Sequence, residues 1–405
     1  MLINEFEVSI LMSEAKKTNI AIIGAGPAGL GLGATLRQYG YQDFQIFEQA
    51  TIGASFKQWH PATRFISPSF TTNGFGAPDL NAITPDTSPA YSLQTTYPTG
   101  AEYAAYLKMV AEEYHLPVQE NCPIQSIRRN QAGFELVGSA GTVTTARFVV
   151  LGLGDFHYPD QGAIEGAELA QHYAQIHSNQ PFSSDADPQI IIGGNEAAVD
   201  LACHIVSHGG RAALYTTRTD PASTTADPSL RLSERSLERL AQIASHISVH
   251  PKKTLVKITQ QADQSYQLTF DDHSQVVTRH QPLLATGFDV ATSPLISPFF
   301  AKVDGHLALT DADESTTTAN CFLIGPQVQH GNTRFCYIYK YRQRWAPMAE
   351  TLLHRSNFAI DPEVTAWYMA QGMYPMIFSH HHHHHDHTPA ADESCDHCHP
   401  TGCGC

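Results

Sequence analysis

Residues 19–50 read NIAIIGAGPAGLGLGATLRQYGYQDFQIFEQA. The stretch opens on a short apolar run, Ile20–Ile23, the mark of a buried strand. Gly24, Gly26 and Gly29 follow as G-x-G-x-x-G. A helical stretch then ends at Gly40, and a second strand, FQIFE, closes on Glu48. Strand, glycine turn, helix, strand and acid together make a dinucleotide-binding unit. Gly24 permits the tight turn, Gly26 lets backbone approach a pyrophosphate, and Gly29 lets helix and strand pack closely. The helix N-terminus offers unpaired N–H groups to phosphates, and Glu48 is placed to take ribose hydroxyls.

The same grammar recurs in residues 188–218, PQIIIGGNEAAVDLACHIVSHGGRAALYTTR. An apolar strand, Ile190–Ile192, meets Gly193 and Gly194, and a helix runs to Gly209–Gly210. Asn195 replaces the middle glycine; asparagine tolerates left-handed backbone, so the turn is expected to survive. The following strand ends at Arg218 rather than at an acid. A cation there suits the 2′-phosphate of NADP, and a solvated surface arginine is the plainer alternative.

Three further turns punctuate the chain. ARFVVLGLGDFHYPD runs a strand into Gly152 and Gly154, and RHQPLLATGFD carries Ala285–Thr286–Gly287. Cys321–Ile324 reads as a strand, followed by Gly325–Pro326 and a long amphipathic helix.

This order resembles the two-dinucleotide-binding-domain flavoproteins, the superfamily of thioredoxin reductases, bacillithiol disulfide reductase-like proteins and flavin-containing monooxygenases. The resemblance covers roughly residues 18–355. It implies an α/β protein: a Rossmann-like FAD domain (13–155 and 283–378) into which a Rossmann-like NAD(P) domain (156–282) is inserted. Residues 379–405 are left as a disordered His/Cys-rich tail. The resemblance also implies FAD at the first glycine turn and NADPH or NADH at Gly193, Gly194, Asn195 and Arg218.

Finer matches divide between branches. GASFKQWHPATRFISPSF is similar to the G-x-W…R segment of flavin monooxygenases, which brings Trp59 to the cofactor. Their F-x-G-x-x-x-H fingerprint is missing, and only His172 sits near its place. Tyr341–Gln343, YRQ, resembles the helix start that meets the flavin in thioredoxin reductases, implying cofactor contacts from Gly325, Arg342 and Gln343. The C-x-x-C of those reductases is absent, because residues 156–282 contain one cysteine, Cys203. The implied chemistry is an oxidoreductase that passes hydride from NADPH to FAD and electrons on to a small-molecule acceptor. A flavin monooxygenase is the alternative.

Candidate catalytic residues follow from position. Cys336, just before the final helix, has Arg334 and Lys340 nearby to favour a thiolate, although a thiol between aromatics is also ordinary packing. His330 is a candidate proton donor or a solvated loop histidine. The Pro/Gly/Asn-rich loop 65–93 is expected to wall the acceptor side, with Arg64, Ser67 and Asn73 as polar contacts.

Charge and cysteine usage bound the class. A net charge of −15 argues against nucleic acid and anionic membranes as partners. No apolar run is long enough for a membrane span, and no signal peptide is evident. Cys122, Cys203, Cys321 and Cys336 are scattered, as in a reducing, cytoplasmic setting. The expected partner is a small-molecule substrate, with room for a homodimer.

The chain ends SHHHHHHDHTPAADESCDHCHPTGCGC. His380, His381, His382, His383, His384, His385 and His387 form one cluster. Cys395, His397, Cys398, His399, Cys403 and Cys405 form another. Imidazoles and thiolates at these spacings suit Zn²⁺ or another transition metal. Redox thiols served by the flavin, and a hexahistidine tag, are the other readings. In a third class of function, the protein handles metal and its flavin domain sets the redox state of these thiols.

Overall fold

The computed structural model describes residues 16–70, 78–139, 141–176, 182–219 and 225–375. The tail ligands, His380–His385, His387, Cys395, His397, Cys398, His399, Cys403 and Cys405, lie outside the described residues, as does Asn73.

Two parallel sheets organise these residues. In the first, Lys16–Ile23 lies between Phe44–Phe47 and Val143–Leu151, parallel to both. Ile20, Ile22 and Ala21 are fully buried, as a strand covered on both faces requires. One face takes Pro27–Gln38, Gly100–Glu113 and Trp345–Arg355, whose apolar sides pack with Ile20 and Ile22. The other takes Phe134, Leu136, Phe299 and Phe300 against Ala21 and Ile23. The strand Val143–Leu151 serves two neighbours. Its first half pairs antiparallel with Gly133–Gly138, and Val149–Leu151 pair parallel with Cys321–Leu323. Chain from both sides of residues 156–282 thus builds one sheet.

The second sheet has the order Ile247–His250, Ala212–Tyr215, Gln189–Ile192, Leu283–Leu284, Gln171–His172, all parallel. An antiparallel layer, Leu255–Gln260, Tyr266–Phe270 and Gln275–Thr278, packs on it through Leu255, Ile258, Leu268 and Phe270. Leu283–Leu284 belongs to this second sheet, so the change from one sheet to the other comes after Leu284, two residues beyond the sequence boundary at 282.

Two hinges join the sheets side by side. Asp160 N–H donates to Gly287 O and Asp289 N–H to Tyr158 O, each at 2.9 Å. Among the described residues no helix is long and apolar enough to cross a membrane.

Candidate functional site

The first glycine turn is shaped by close approach. Gly24 has φ +107°, and a Cβ there would lie 2.2 Å from Gly152 O, at the end of the neighbouring strand. A Cβ on Gly29 would lie 1.9 Å from Gly24 O, so only glycine lets the helix sit this close to its turn. Gly26 faces the opposite situation: a Cβ there would meet nothing within 4 Å, which leaves open space over the helix N-terminus. Glu48 ends the second strand, buried, with its carboxylate accepting from Ala25 N–H at 2.8 Å and Ala50 N–H at 2.9 Å.

Gly24, Gly26 and Glu48 border a cavity of about 440 Å³. It passes Glu48 and Gln49, the turn at Gly24 and Gly26, and then the wall made by Trp59, Phe65 and Tyr341. The fit to FAD is physical. The glycines leave backbone uncovered where a diphosphate would lie, a buried carboxylate stands where ribose hydroxyls would donate, and aromatic side chains line the far end. Gly24, Gly26, Glu48 and Trp59 are therefore brought together on one cavity.

The second glycine turn repeats the geometry. Gly193 has φ +138°, and its Cβ would lie 2.4 Å from Ala285 O; a Cβ on Gly194 would meet Thr216 Oγ1 at 2.3 Å. Asn195 is not left-handed. It caps the helix Glu196–Ser207 in extended conformation, with φ −104°, because Gly193 takes the positive φ. Arg218 follows the second strand, and its Nη1 is buried without a hydrogen-bond partner among the described residues. A buried guanidinium nitrogen with no acceptor invites an anion. Glu196 and Ala197, in the first turn of this second helix, line the same cavity as Gly24 and Glu48.

Several sequence expectations are redirected. Of Tyr341–Gln343, Tyr341 reaches the cavity. Arg342 is 3% exposed and donates to the carbonyls of Asp79 and Ala82, tying the turn that leads into Trp345–Arg355 to the loop after residue 78. Gln343 turns back to Tyr339 O. Gly325 packs against Ala28, leaving Pro326 on the cavity. His330 is drawn away by its hairpin, Gln329–His330 with Thr333–Arg334, and bonds to buried Asp313, which Arg344 grips in turn. It does not border the cavity. His172 is buried beside Gly287 O, part of the hinge.

Cys336 does border the cavity. Its thiol donates to Ser229 Oγ at 3.2 Å, and Lys340 Nζ binds the same hydroxyl at 2.6 Å. Cys336 is an exposed residue, yet the protein packed round its sulfur raises the thiol above its ordinary pKa, and the Ser229 bond and the Lys340 charge only partly oppose this. The protonated thiol is thus the resting form near neutral pH.

Other residues of the site carry no local sequence signal. Asp200, on the second helix, is 5% exposed. It accepts from Thr63 Oγ1 at 2.6 Å, Tyr173 at 3.0 Å and Arg239 at 2.7 Å, and lies 3.1 Å from His204 Nε2. Burial alone would raise its pKa; the His204 and Thr63 bonds and the Arg239 charge outweigh that and hold it well below the ordinary range. Asp155, at the first hinge, also lines the cavity, and burial pushes its pKa up to about 6. Among the described residues no group of three or more His, Cys, Asp or Glu could hold a metal.

Comparison with known proteins agrees with this geometry. A family model described as pyridine nucleotide-disulphide oxidoreductase matches residues 21–325. An uncharacterized oxidoreductase, CzcO, of Bacillus velezensis is 25% identical over 188 residues, 45% of this chain and 50% of that protein. A Baeyer-Villiger monooxygenase of Pseudomonas aeruginosa is 27% identical over 207 residues, 47% of this chain and 36% of that protein. The chain spans half the length, or less, of these curated relatives. Among solved structures, the bacillithiol disulfide reductase Bdr (YpdA) of Staphylococcus aureus superposes with TM-score 0.66 at 17% identity, covering 84% of this chain and 99% of its own. A flavin-containing monooxygenase of Stenotrophomonas maltophilia matches with the same score, identity and coverage. At such identity the likeness is one of fold.

Proposed function

The chain belongs to the pyridine nucleotide-disulphide oxidoreductase family, and from that premise we propose that it is an FAD-dependent, NADPH-using oxidoreductase of a small-molecule acceptor. When bound, FAD supplies the carrier that takes hydride from NADPH and yields electrons to the acceptor. One observation carries the reading: the first glycine turn with Glu48 and the first turn of the second glycine helix border a single cavity. Gly24, Gly26 and Glu48 would hold the FAD diphosphate and ribose. Gly193, Gly194 and Arg218 would hold the nucleotide of NADPH, with Arg218 choosing the phosphorylated ribose. Trp59, Phe65 and Tyr341 would exclude water from the reacting end. Absorption spectroscopy tests this directly. Purified protein should show a flavin spectrum that bleaches anaerobically with NADPH faster than with NADH; colourless protein, or no bleaching, would overturn it.

Oxygenation of the acceptor is a second reading, favoured by the match to a Baeyer-Villiger monooxygenase. Oxygen consumption matched by oxygenated product supports it, whereas stoichiometric peroxide release removes it. For the tail we propose metal binding, supported by the ligand spacing of His380–His385 and Cys395–Cys405. Truncation after Phe378 should abolish zinc uptake by the purified protein; unchanged zinc content rejects it.

A further inference from the structure

Two arginines, Arg64 and Arg239, line the cavity, and a third, Arg235, lies close enough behind them to feel both charges. Arg64 comes from the loop that follows Trp59, and its Nη1 donates to Tyr97 O at 2.9 Å. Arg235 stacks its guanidinium over the Tyr97 ring, 4.2 Å from the centroid. Arg239, one helical turn on from Arg235, faces the cavity beside Asp200. Arg64 and Arg239 both line the cavity. The cluster straddles the two sheets' territories: Arg64 belongs to the first, Arg235 and Arg239 to the helix Glu234–Gln242.

The carboxylates nearby are already engaged. Asp200 is shared among Arg239, Thr63, Tyr173 and His204. Glu196 closes on Ser233 and Ser236 at the start of the Arg235 helix. Glu102 accepts from Thr99 N–H at 2.7 Å and reaches Arg64 only at 3.8 Å. Among the described residues Arg235 has no carboxylate partner, and its Nε is buried without a hydrogen bond. Asp200 serves Arg239 and Glu102 reaches Arg64, so of the three cations Arg235 alone is left without a carboxylate among the described residues, in a chain of net charge −15. A fold gains nothing by crowding an unpaired guanidinium against two others; binding an anion would relieve it.

We propose that Arg64, Arg235 and Arg239 form an anion-recognition subsite, and that the acceptor of this enzyme carries a carboxylate or a similar anionic group. This rests on the flavoprotein reading above and deepens it by naming the substrate class. The anion is the acceptor's rather than the nicotinamide nucleotide's. Arg218 already stands at the second strand end for the nucleotide, and it does not border the cavity that Arg64 and Arg239 line. Planar guanidinium forks suit bidentate carboxylate recognition, and Tyr97 fixes two of them in place.

The test uses the full-length holoprotein, with benzoate and its neutral isostere benzamide as probes and the flavin absorption difference spectrum as readout. Benzoate should give a saturable spectrum at far lower concentration than benzamide. Arg235→Gln should weaken benzoate about tenfold or more, as loss of a charged hydrogen-bond donor implies, and by more than it alters the NADPH dissociation constant. Arg235→Lys keeps the charge without the fork and should fall between. Equal response to the two probes would overturn the proposal. So would an Arg235→Gln variant that weakens NADPH more than benzoate, which would give the cluster to the nucleotide diphosphate. If no flavin is present to read, the flavoprotein reading itself has failed, an outcome distinct from a flavin spectrum indifferent to benzoate.

Discussion

The two glycine turns are the same device with opposite charge at its far end. Gly24 and Gly193 both take positive φ, and both press against the carbonyl just past the end of a neighbouring strand, Gly152 O in one and Ala285 O in the other. The third glycine of the first turn, Gly29, has Ala198 in its place in the second, still fully buried. The strand ends then diverge. Glu48 is satisfied by two backbone N–H groups, and Arg218 keeps a buried nitrogen without an acceptor among the described residues. In the function proposed above, backbone shape would make each turn a nucleotide cradle, and the strand-end side chain would select the nucleotide.

Substitution of the turn itself has the largest expected effect. Gly24→Val would place Cβ against Gly152 O in a backbone conformation that β-branched residues avoid. We expect protein purified without flavin, read from its visible absorption. Gly193→Val makes the comparison: flavin should remain while NADPH no longer bleaches it. If both variants lose flavin alike, the two cradles are not separate sites.

Next comes the charge at the strand ends. Glu48→Gln should weaken FAD by about 10- to 100-fold, the scale of a lost charged hydrogen bond, measured by flavin release on dilution. Arg218→Gln should raise the KM for NADPH by about tenfold and leave that for NADH nearly fixed, the signature of a 2′-phosphate contact. A variant that raises both equally would make Arg218 an ordinary structural cation.

What is legible in the sequence follows the range of the interactions. Both turns, their helices and Glu48 are specified within some thirty residues, so pattern reading reaches them. Propensity offers Asn195 as the left-handed residue, and the structure gives that role to Gly193 two positions earlier. By their neighbours in sequence Arg342 looks like a cofactor contact and His330 like a proton donor. Their fates are set by Asp79, Ala82 and Asp313, which the chain supplies from elsewhere. The Arg64, Arg235 and Arg239 cluster is invisible for the same reason. In SERSLERLAQ the arginines at i and i+4 read as the solvent face of an amphipathic helix, and only the tertiary fold turns them toward Tyr97 and Asp200.

The hinges extend the comparison and give the smallest effect. Gly154 and Gly287 have φ +67° and +90°, and the residues after them are Asp155 and Phe288. Phe288 is apolar and costs nothing to bury. Asp155 is a carboxyl lining the cavity, and burial raises its pKa from an ordinary 3.8 to about 6, against the pull of the backbone N–H groups of Asp155 and Phe156. Between about pH 4 and pH 6 the folded chain therefore binds more protons than the unfolded one, and stability falls as pH rises through that window. Above it, the ionised carboxylate costs on the order of 2 kcal/mol, two pKa units discounted for solvent in the cavity. Asp155→Asn should then melt a few degrees above the parent at about pH 8, with the gap closing towards about pH 4. A gap that stays constant with pH would mean that Asp155 is not held as a buried anion. The two hinges would then differ in side-chain shape alone.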